Sequence, residues 1–64
     1  MDKYRYFKPL KTYITDLYVT NNDMTKGKWL RNKGPSINLH SQDIKTLKHN
    51  FIELTDKEVF LEML

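Results

Sequence analysis

The apolar residues in the last third of the chain recur at the spacing of a helix. Four of them are separated by three, four and three positions: Ile44, Leu47, Phe51 and Leu54. Residues three and four apart lie on one side of a helix, so the group forms a single apolar stripe. Ser41 is a suitable N-cap, and the carboxylate of Asp43 favours a helix N-terminus. The spacing therefore predicts a helix from residue 42 to about residue 54.

A second helix is predicted directly after it. Thr55 and Glu58 have the spacing of a capping box, in which each side chain accepts a hydrogen bond from the backbone N–H of the other residue. This predicts a new helix over residues 56–64. Its apolar members are Val59, Phe60, Met63 and Leu64. Such a segment either completes the core or contacts a partner, because terminal residues fray unless something holds them.

Residues 9–20 carry a further apolar stripe. Pro9 suits the first turn of a helix, and five apolar residues follow at helical spacing: Leu10, Tyr13, Ile14, Leu17 and Tyr18. The β-branched residues in this segment favour a strand, but neither alternate set of residues is consistently apolar. We therefore expect a helix over residues 9–20, ended by the polar residues 21–23.

The remaining segments give weaker patterns. Asp23 or Thr25 is a suitable cap for a short helix reaching about residue 32, although Gly27 weakens it by about 1 kcal/mol relative to alanine. Residues 33–36 contain Gly and Pro and interrupt regular secondary structure. An extended piece is then expected to bring Ile37 and Leu39 to the core. Residues 4–7 alternate aromatic and charged side chains, as in a short strand or an extended arm. Their aromatic rings either stack on bases or pack as a lid on the core.

Together these patterns predict a mainly α fold, with α+β as the alternative. The bundle has three to four short helices and a short extended N-terminal piece, in one domain over residues 1–64. A chain of 64 residues without cysteine has marginal stability, so tight helix packing or a partner chain must supplement it. No signal peptide or membrane span is recognisable, which favours a soluble cytoplasmic protein.

The charge distribution suggests a first function. Residues 1–12 carry four basic residues and one acid, and residues 24–34 carry four basic residues without an acid, whereas residues 51–64 carry four acids and one lysine. A basic patch attracts polyanions, of which nucleic acid is the most frequent. The predicted nucleic-acid-binding residues are Lys26, Lys28, Trp29, Arg31, Lys33, Arg5 and Lys8. A solvated basic face that serves solubility has the same pattern.

Aromatic and apolar residues suggest a second function, an inhibitor or adaptor that docks on a larger host protein. Its predicted interface residues are Tyr4, Tyr6, Trp29, Phe60 and Met63, because large side chains carry most interface energy. These aromatic residues would otherwise close the core. A structural homodimer is the third alternative. The richness in Lys, Asn, Ile and Tyr is typical of AT-rich genomes, whose phages and other mobile elements encode many short proteins.

Catalysis and metal binding are not expected. His40 and His49 are nine residues apart and no cysteine is present, so the chain lacks the ligand set of a zinc site. No nucleotide-binding glycine motif and no acid–histidine–nucleophile arrangement is recognisable. We expect a binding protein without a cofactor, because a chain this short has little room for a pocket that excludes water.

Overall fold

A computed structural model of the chain describes residues 3–32 and 34–64. The described residues form a five-stranded antiparallel sheet and two helices. The elements in chain order are β1 (Arg5–Pro9), β2 (Tyr18–Thr20), β3 (Lys26–Trp29), β4 (Ile37–Asn38), α1 (Ser41–Asn50), β5 (Phe51–Glu53) and α2 (Asp56–Glu62). The strands lie in the order β4-β3-β2-β1-β5, so α1 connects the two edges of the sheet.

The core lies between α1 and one face of the sheet, which we call the α1 face. Phe7 pairs with Tyr18, and Tyr18 pairs with Trp29, so these three aromatic side chains share that face. The buried core cluster consists of Phe7, Tyr18, Met24 and Leu47, with Trp29, Leu39, Ile44 and Phe51 packed against it. The rings of Tyr18 and Trp29 meet edge to face with 5.2 Å between their centroids, a favourable geometry for aromatic pairs.

The hairpin between β2 and β3 is closed by an asparagine turn. The Oδ1 atom of Asn21 accepts hydrogen bonds from the backbone N–H groups of Thr25 and Lys26, at 2.8 and 3.2 Å. Met24 has a positive φ of 56°, a conformation that costs a non-glycine residue about 1–2 kcal/mol. Its side chain is buried in the core cluster, and this burial offsets the cost.

The predicted helix over residues 42–54 is too long at its C-terminal end. α1 begins at Ser41, with His40 as its N-cap, and ends at Asn50. Residues 51–53 pair with β1 instead, because the edge of β1 supplies partners for their backbone groups. The N–H group of Leu54 continues this pairing and donates to the carbonyl of Tyr6 at 2.8 Å. Phe51 still enters the predicted core, but it does so from a strand.

The predicted capping box is confirmed. Thr55 Oγ1 accepts from the N–H group of Glu58 at 3.2 Å, and the carboxylate of Glu58 accepts from the N–H group of Thr55 at 3.0 Å. α2 lies over the sheet face opposite α1, which we call the opposite face. The Nζ atom of Lys8 on that face is 2.7 Å from the Glu62 carboxylate.

The prediction of a mainly α bundle of three to four helices is wrong. Residues 9–20 are not a helix: they form the end of β1, a loop, and β2, whose three residues are all buried. Residues 23–32 are not a helix either, since they contain a turn and β3. In both segments, pairing with neighbouring strands outweighs the helical spacing of the apolar residues.

The two helices of the described segments are short. Neither has the length and apolar composition that crossing a lipid bilayer requires.

Candidate nucleic-acid interface

Two tyrosines and two lysines lie together on the opposite face of the sheet. Tyr6 pairs with Val19, and Val19 pairs with Lys28, so these side chains leave the sheet on the same side. Lys26 lies two residues before Lys28 on β3 and shares that side. Tyr4 immediately precedes β1 and lines a cavity with both lysines. We call Tyr4, Tyr6, Lys26 and Lys28 the basic–aromatic face. A cavity of about 230 Å³ is lined by Tyr4, Lys26 and Lys28, with Val19 beneath them.

The side chains of this face are accessible to a ligand. Tyr4 is 57% exposed, both lysines are exposed, and Tyr6 is half-buried. Neither Lys26 nor Lys28 takes part in an ion pair with any residue of 3–32 or 34–64. Two residues along a strand span about 7 Å, so the lysines place two unneutralised charges close together. The face thus combines positive charge with aromatic surface.

Local structure fixes the direction of the two lysines. Gly27 lies between them and is buried against the ring of Tyr18 on the α1 face. Because side chains alternate along a strand, both lysines must point to the opposite face. The Asn21 turn holds the start of β3, since its Oδ1 atom accepts from the N–H group of Lys26. The hairpin therefore fixes the direction in which both lysine side chains leave β3.

Two of the predicted basic residues are neutralised by acids. Arg5 donates to both carboxylate oxygens of Glu53, at 2.8 and 2.6 Å, and its pairing with Thr20 places it on the α1 face. The hydrogen bond from Arg5 lowers the pKa of Glu53 below its usual value. Lys8 lies on the opposite face but is paired with Glu62. Neither side chain offers an unneutralised charge to a phosphate.

Arg31 has a structural role. Its guanidinium donates to the carbonyls of Thr15 and Glu62, at 2.6 and 3.3 Å, and thereby ties α2 to the loop before β2. Its backbone N–H group donates to the carboxylate of Asp16 at 2.9 Å.

Asp16 holds this loop through three backbone hydrogen bonds. Its carboxylate accepts from the N–H groups of Leu17, Arg31 and Asn32, at 2.8, 2.9 and 3.1 Å. Burial alone would raise the pKa of Asp16, but these donors outweigh it and hold the pKa below its usual value. The carboxylate therefore serves to connect the loop to the end of β3.

Trp29 is not available as a stacking group on the basic–aromatic face. It lies on the α1 face, where its ring contacts Tyr18 and Phe51, and it packs against the core cluster. Lys33 lies outside the described residues. Of the predicted nucleic-acid-binding residues within 3–32 and 34–64, the structure thus brings only Lys26 and Lys28 together as unneutralised charges.

The predicted protein-interface residues are divided among three places. Tyr4 and Tyr6 join the basic–aromatic face, Phe60 and Met63 are exposed on and just after α2, and Trp29 packs against the core. Neither tyrosine was among the predicted nucleic-acid-binding residues, although base stacking by the aromatic residues of 4–7 was one of the alternatives for that segment. The strict alternation of residues 26–29 (lysine, glycine, lysine, tryptophan) is the signal that a strand was present.

The described segments show no metal-binding site. They contain no cluster of three or more histidine or acidic side chains able to hold a metal ion. Comparisons of the chain with models of protein families, with curated proteins and with solved structures give no match.

Proposed function

We propose that the chain binds single-stranded nucleic acid through the basic–aromatic face. The proposal is carried by the strand register, which puts Tyr6 on the same side of the sheet as Lys26 and Lys28, together with the cavity that Tyr4 lines with these lysines. Aromatic rings on which bases stack, next to cations that meet the phosphates, are the two components of single-strand binding surfaces. Lys26 and Lys28 of the predicted basic segment remain part of the proposed site. The aromatic residues beside them are Tyr4 and Tyr6, and not Trp29.

The shape of the surface favours a single strand over a duplex. A duplex is usually read by a helix that enters its major groove. α1 is packed on the core, and α2 carries three acids against one lysine, so α2 would be repelled by phosphates. An accessible sheet face with tyrosine rings instead suits bases that are not stacked on each other. We expect little sequence preference, because stacking accepts every base.

The strength of the electrostatic component follows from the two lysines. Each phosphate neutralised on a single strand contributes about −0.7 to the slope of log K against log salt. Two lysines therefore give a slope of roughly −1.4, and the affinity falls as salt rises. Arg5 and Lys8 add little, because Glu53 and Glu62 already neutralise them.

Fluorescence anisotropy with a labelled single-stranded oligonucleotide tests the proposal. The double variant Lys26→Ala/Lys28→Ala should bind more weakly, and its salt slope should be flatter by roughly 1.4. The matched control is Lys45→Ala/Lys48→Ala, which removes the same charge from the exposed side of α1. Absence of binding by the wild type at low salt, or an equal loss in both double variants, would contradict the proposal.

A tyrosine pair separates stacking from general attraction. Tyr4→Leu should weaken binding by about 1–3 kcal/mol, the contribution of one stacked base. Tyr13→Leu is its control, because Tyr13 is 75% exposed but lies in the loop between β1 and β2. Equal affinities of the two variants would show that Tyr4 does not stack on a base, whatever the lysines do.

A further inference from the structure

A small cavity on the α1 face is lined by three aromatic rings and a carboxylate. Its volume is about 140 Å³, and the rings belong to Tyr18, Trp29 and Phe51. Asp43, in the first turn of α1, lines the same cavity. None of the lining residues belongs to the basic–aromatic face, which lies on the other side of the sheet. The cavity is therefore a second candidate site, and it shares no side chain with the first.

The three rings lie close together, and no two of them are parallel. Their centroids are 5.2, 6.1 and 6.3 Å apart, and the corresponding angles between the ring planes are 85°, 43° and 61°. A point about 4 Å above the middle of this triangle is about 5 Å from every centroid, within the roughly 6 Å reach of a cation–π interaction. Such groups of rings form the aromatic cages that recognise methylated ammonium ions.

Local structure directs the carboxylate towards the sheet. Asp43 and Leu47 are four residues apart on α1, so they lie on the same side of the helix. Leu47 belongs to the buried core cluster, and that side of α1 therefore faces the rings. The Oδ2 atom of Asp43 accepts a hydrogen bond from the N–H group of His40 at 2.9 Å, which holds the side chain in place.

The charge of this carboxylate is available to a ligand. Asp43 makes no ion pair with any residue of 3–32 or 34–64. Burial raises the pKa of Tyr18 above its usual value, and the nearby charge of Asp43 raises this pKa further. The negative charge therefore acts at the aromatic rings, where a bound cation would lie.

We propose that the cavity binds a methylated ammonium group, from either a free quaternary amine or a methylated lysine side chain. The rings supply cation–π contacts, and the carboxylate of Asp43 supplies a counter-charge. A quaternary ammonium donates no hydrogen bond, so it leaves water more easily than the ammonium of an unmodified lysine. The chemistry of the cavity thus favours the methylated form.

The size of the cavity and its access to solvent fit this ligand. A cavity of about 150 Å³ lined by apolar side chains holds one benzene molecule. A trimethylammonium group with its first methylene carbon has one heavy atom fewer than benzene, so the cavity can hold it. Thr46 is exposed, and Trp29 and Phe51 are half-buried, so the ligand can enter from solvent.

A chemical-shift titration of the isotope-labelled full chain, at constant ionic strength, tests the proposal. Its main reporter is the indole N–H group of Trp29, the single tryptophan of the chain. Choline and tetramethylammonium should shift this signal in a saturable way. The neutral tert-butyl isostere of choline, in which carbon replaces the nitrogen, should bind at least about tenfold more weakly. An isostere that binds as tightly as choline, or cations that do not bind, would overturn the proposal.

A variant of the carboxylate gives a second test. Asp43→Asn removes the charge but keeps an acceptor for the N–H group of His40, so it should weaken choline binding by roughly tenfold. Asp23→Asn is the matched control, because Asp23 is exposed in a turn and does not line the cavity. Circular dichroism confirms that both variants are folded. Equal choline affinities of the two variants contradict the proposal.

Two peptides distinguish the sources of the methylated group. One carries a single trimethyllysine, and the other carries unmodified lysine at the same position. Tighter binding of the trimethyllysine peptide than of choline supports a protein ligand, whereas tighter binding of choline supports a free quaternary amine. Equal binding of the two peptides refutes recognition of the methyl groups. The variant Lys26→Ala/Lys28→Ala should bind choline like the wild type, so this proposal and the nucleic-acid proposal can fail separately.

Discussion

The substitution Gly27→Ala tests the close packing of the Tyr18 ring against Gly27 of β3. A Cβ atom built on Gly27 would lie 2.5 Å from Cε2 of Tyr18, and 3.0 Å from its Cζ and Oη atoms. Carbon atoms in contact are normally about 3.5–4.0 Å apart, so the added methyl group would overlap the ring by about 1 Å. The ring cannot move freely, because it is buried and packs against Trp29 and Phe51.

The expected cost follows from this overlap. Overpacking a well-packed core costs about 1–3 kcal/mol. The lower conformational entropy of alanine in the unfolded chain returns only about 0.4–1 kcal/mol. For a domain of this size, each kcal/mol lowers the melting temperature by about 4–8 °C. We therefore expect a melting temperature clearly below that of the wild type.

The assay is thermal unfolding followed by circular dichroism and by the fluorescence of Trp29, the single tryptophan of the chain. Gly34→Ala is the control, because no atom lies within 4 Å of its Cβ position; its stability should stay within about 0.5 kcal/mol of the wild type. In a Tyr18→Leu background, Gly27→Ala should cost less, since the ring is gone. A Gly27→Ala variant as stable as the wild type would refute the close approach of β3 to Tyr18.

Two further predictions concern hydrogen bonds to side chains. The folded pKa of Asp16 is lowered, so its contribution to stability is present above its unfolded value of about 3.9 and is lost as the pH falls through the folded pKa. Urea unfolding should therefore show that Asp16→Asn is less stable than the wild type at neutral pH, and that the difference shrinks below about pH 4; a constant difference would contradict the hydrogen-bonded carboxylate. Thr55→Ala should lower stability by about 1 kcal/mol through loss of the α2 cap, whereas Thr12→Ala at an exposed loop position should not; equal melting temperatures would show that α2 does not need its cap.

The parts of the fold predicted best are the helix starts, which have local signals in the sequence. Thr55 and Glu58 satisfy each other's backbone within four residues, so the start of α2 can be recognised without knowing any other part of the fold. The start of α1 was predicted to within one residue, although its N-cap is His40 and not the predicted Ser41. Its end was missed, because residues 51–53 leave the helix in order to pair with β1, and the sequence spacing contains no sign of that partner.

Residues 9–32 show the opposite outcome. Leu10 and Tyr13 are exposed in a loop, while Leu17 and Tyr18 are adjacent and both buried. Their helical spacing therefore has no structural meaning. The β-branched and aromatic residues of β2 fitted a strand better, as did the alternation in residues 26–29. Both signals were present but short. Three or four residues are too few to distinguish the alternation of a strand from chance.

Only part of the candidate site could be predicted from the sequence, because the contacts that distinguish its residues join distant parts of the chain. The basic character of residues 26–33 is a property of the sequence, and it is the reason that Lys26 and Lys28 were among the predicted site residues. The sequence could not separate these residues from Arg31, whose partners are the carbonyls of Thr15 and Glu62. The sequence also could not show that Lys8 is neutralised by Glu62, which lies far away in the chain.

The sequence by itself determined the capping box of α2 and the distribution of charge. The tertiary structure alone decided which segments are strands, which basic residues are neutralised, and which aromatic side chains share a face with free lysines. The physical reason is the range of the interactions. A helix satisfies its backbone within its own segment, whereas a strand does so through residues far away in the chain, and an ion pair depends on where the fold places its partner.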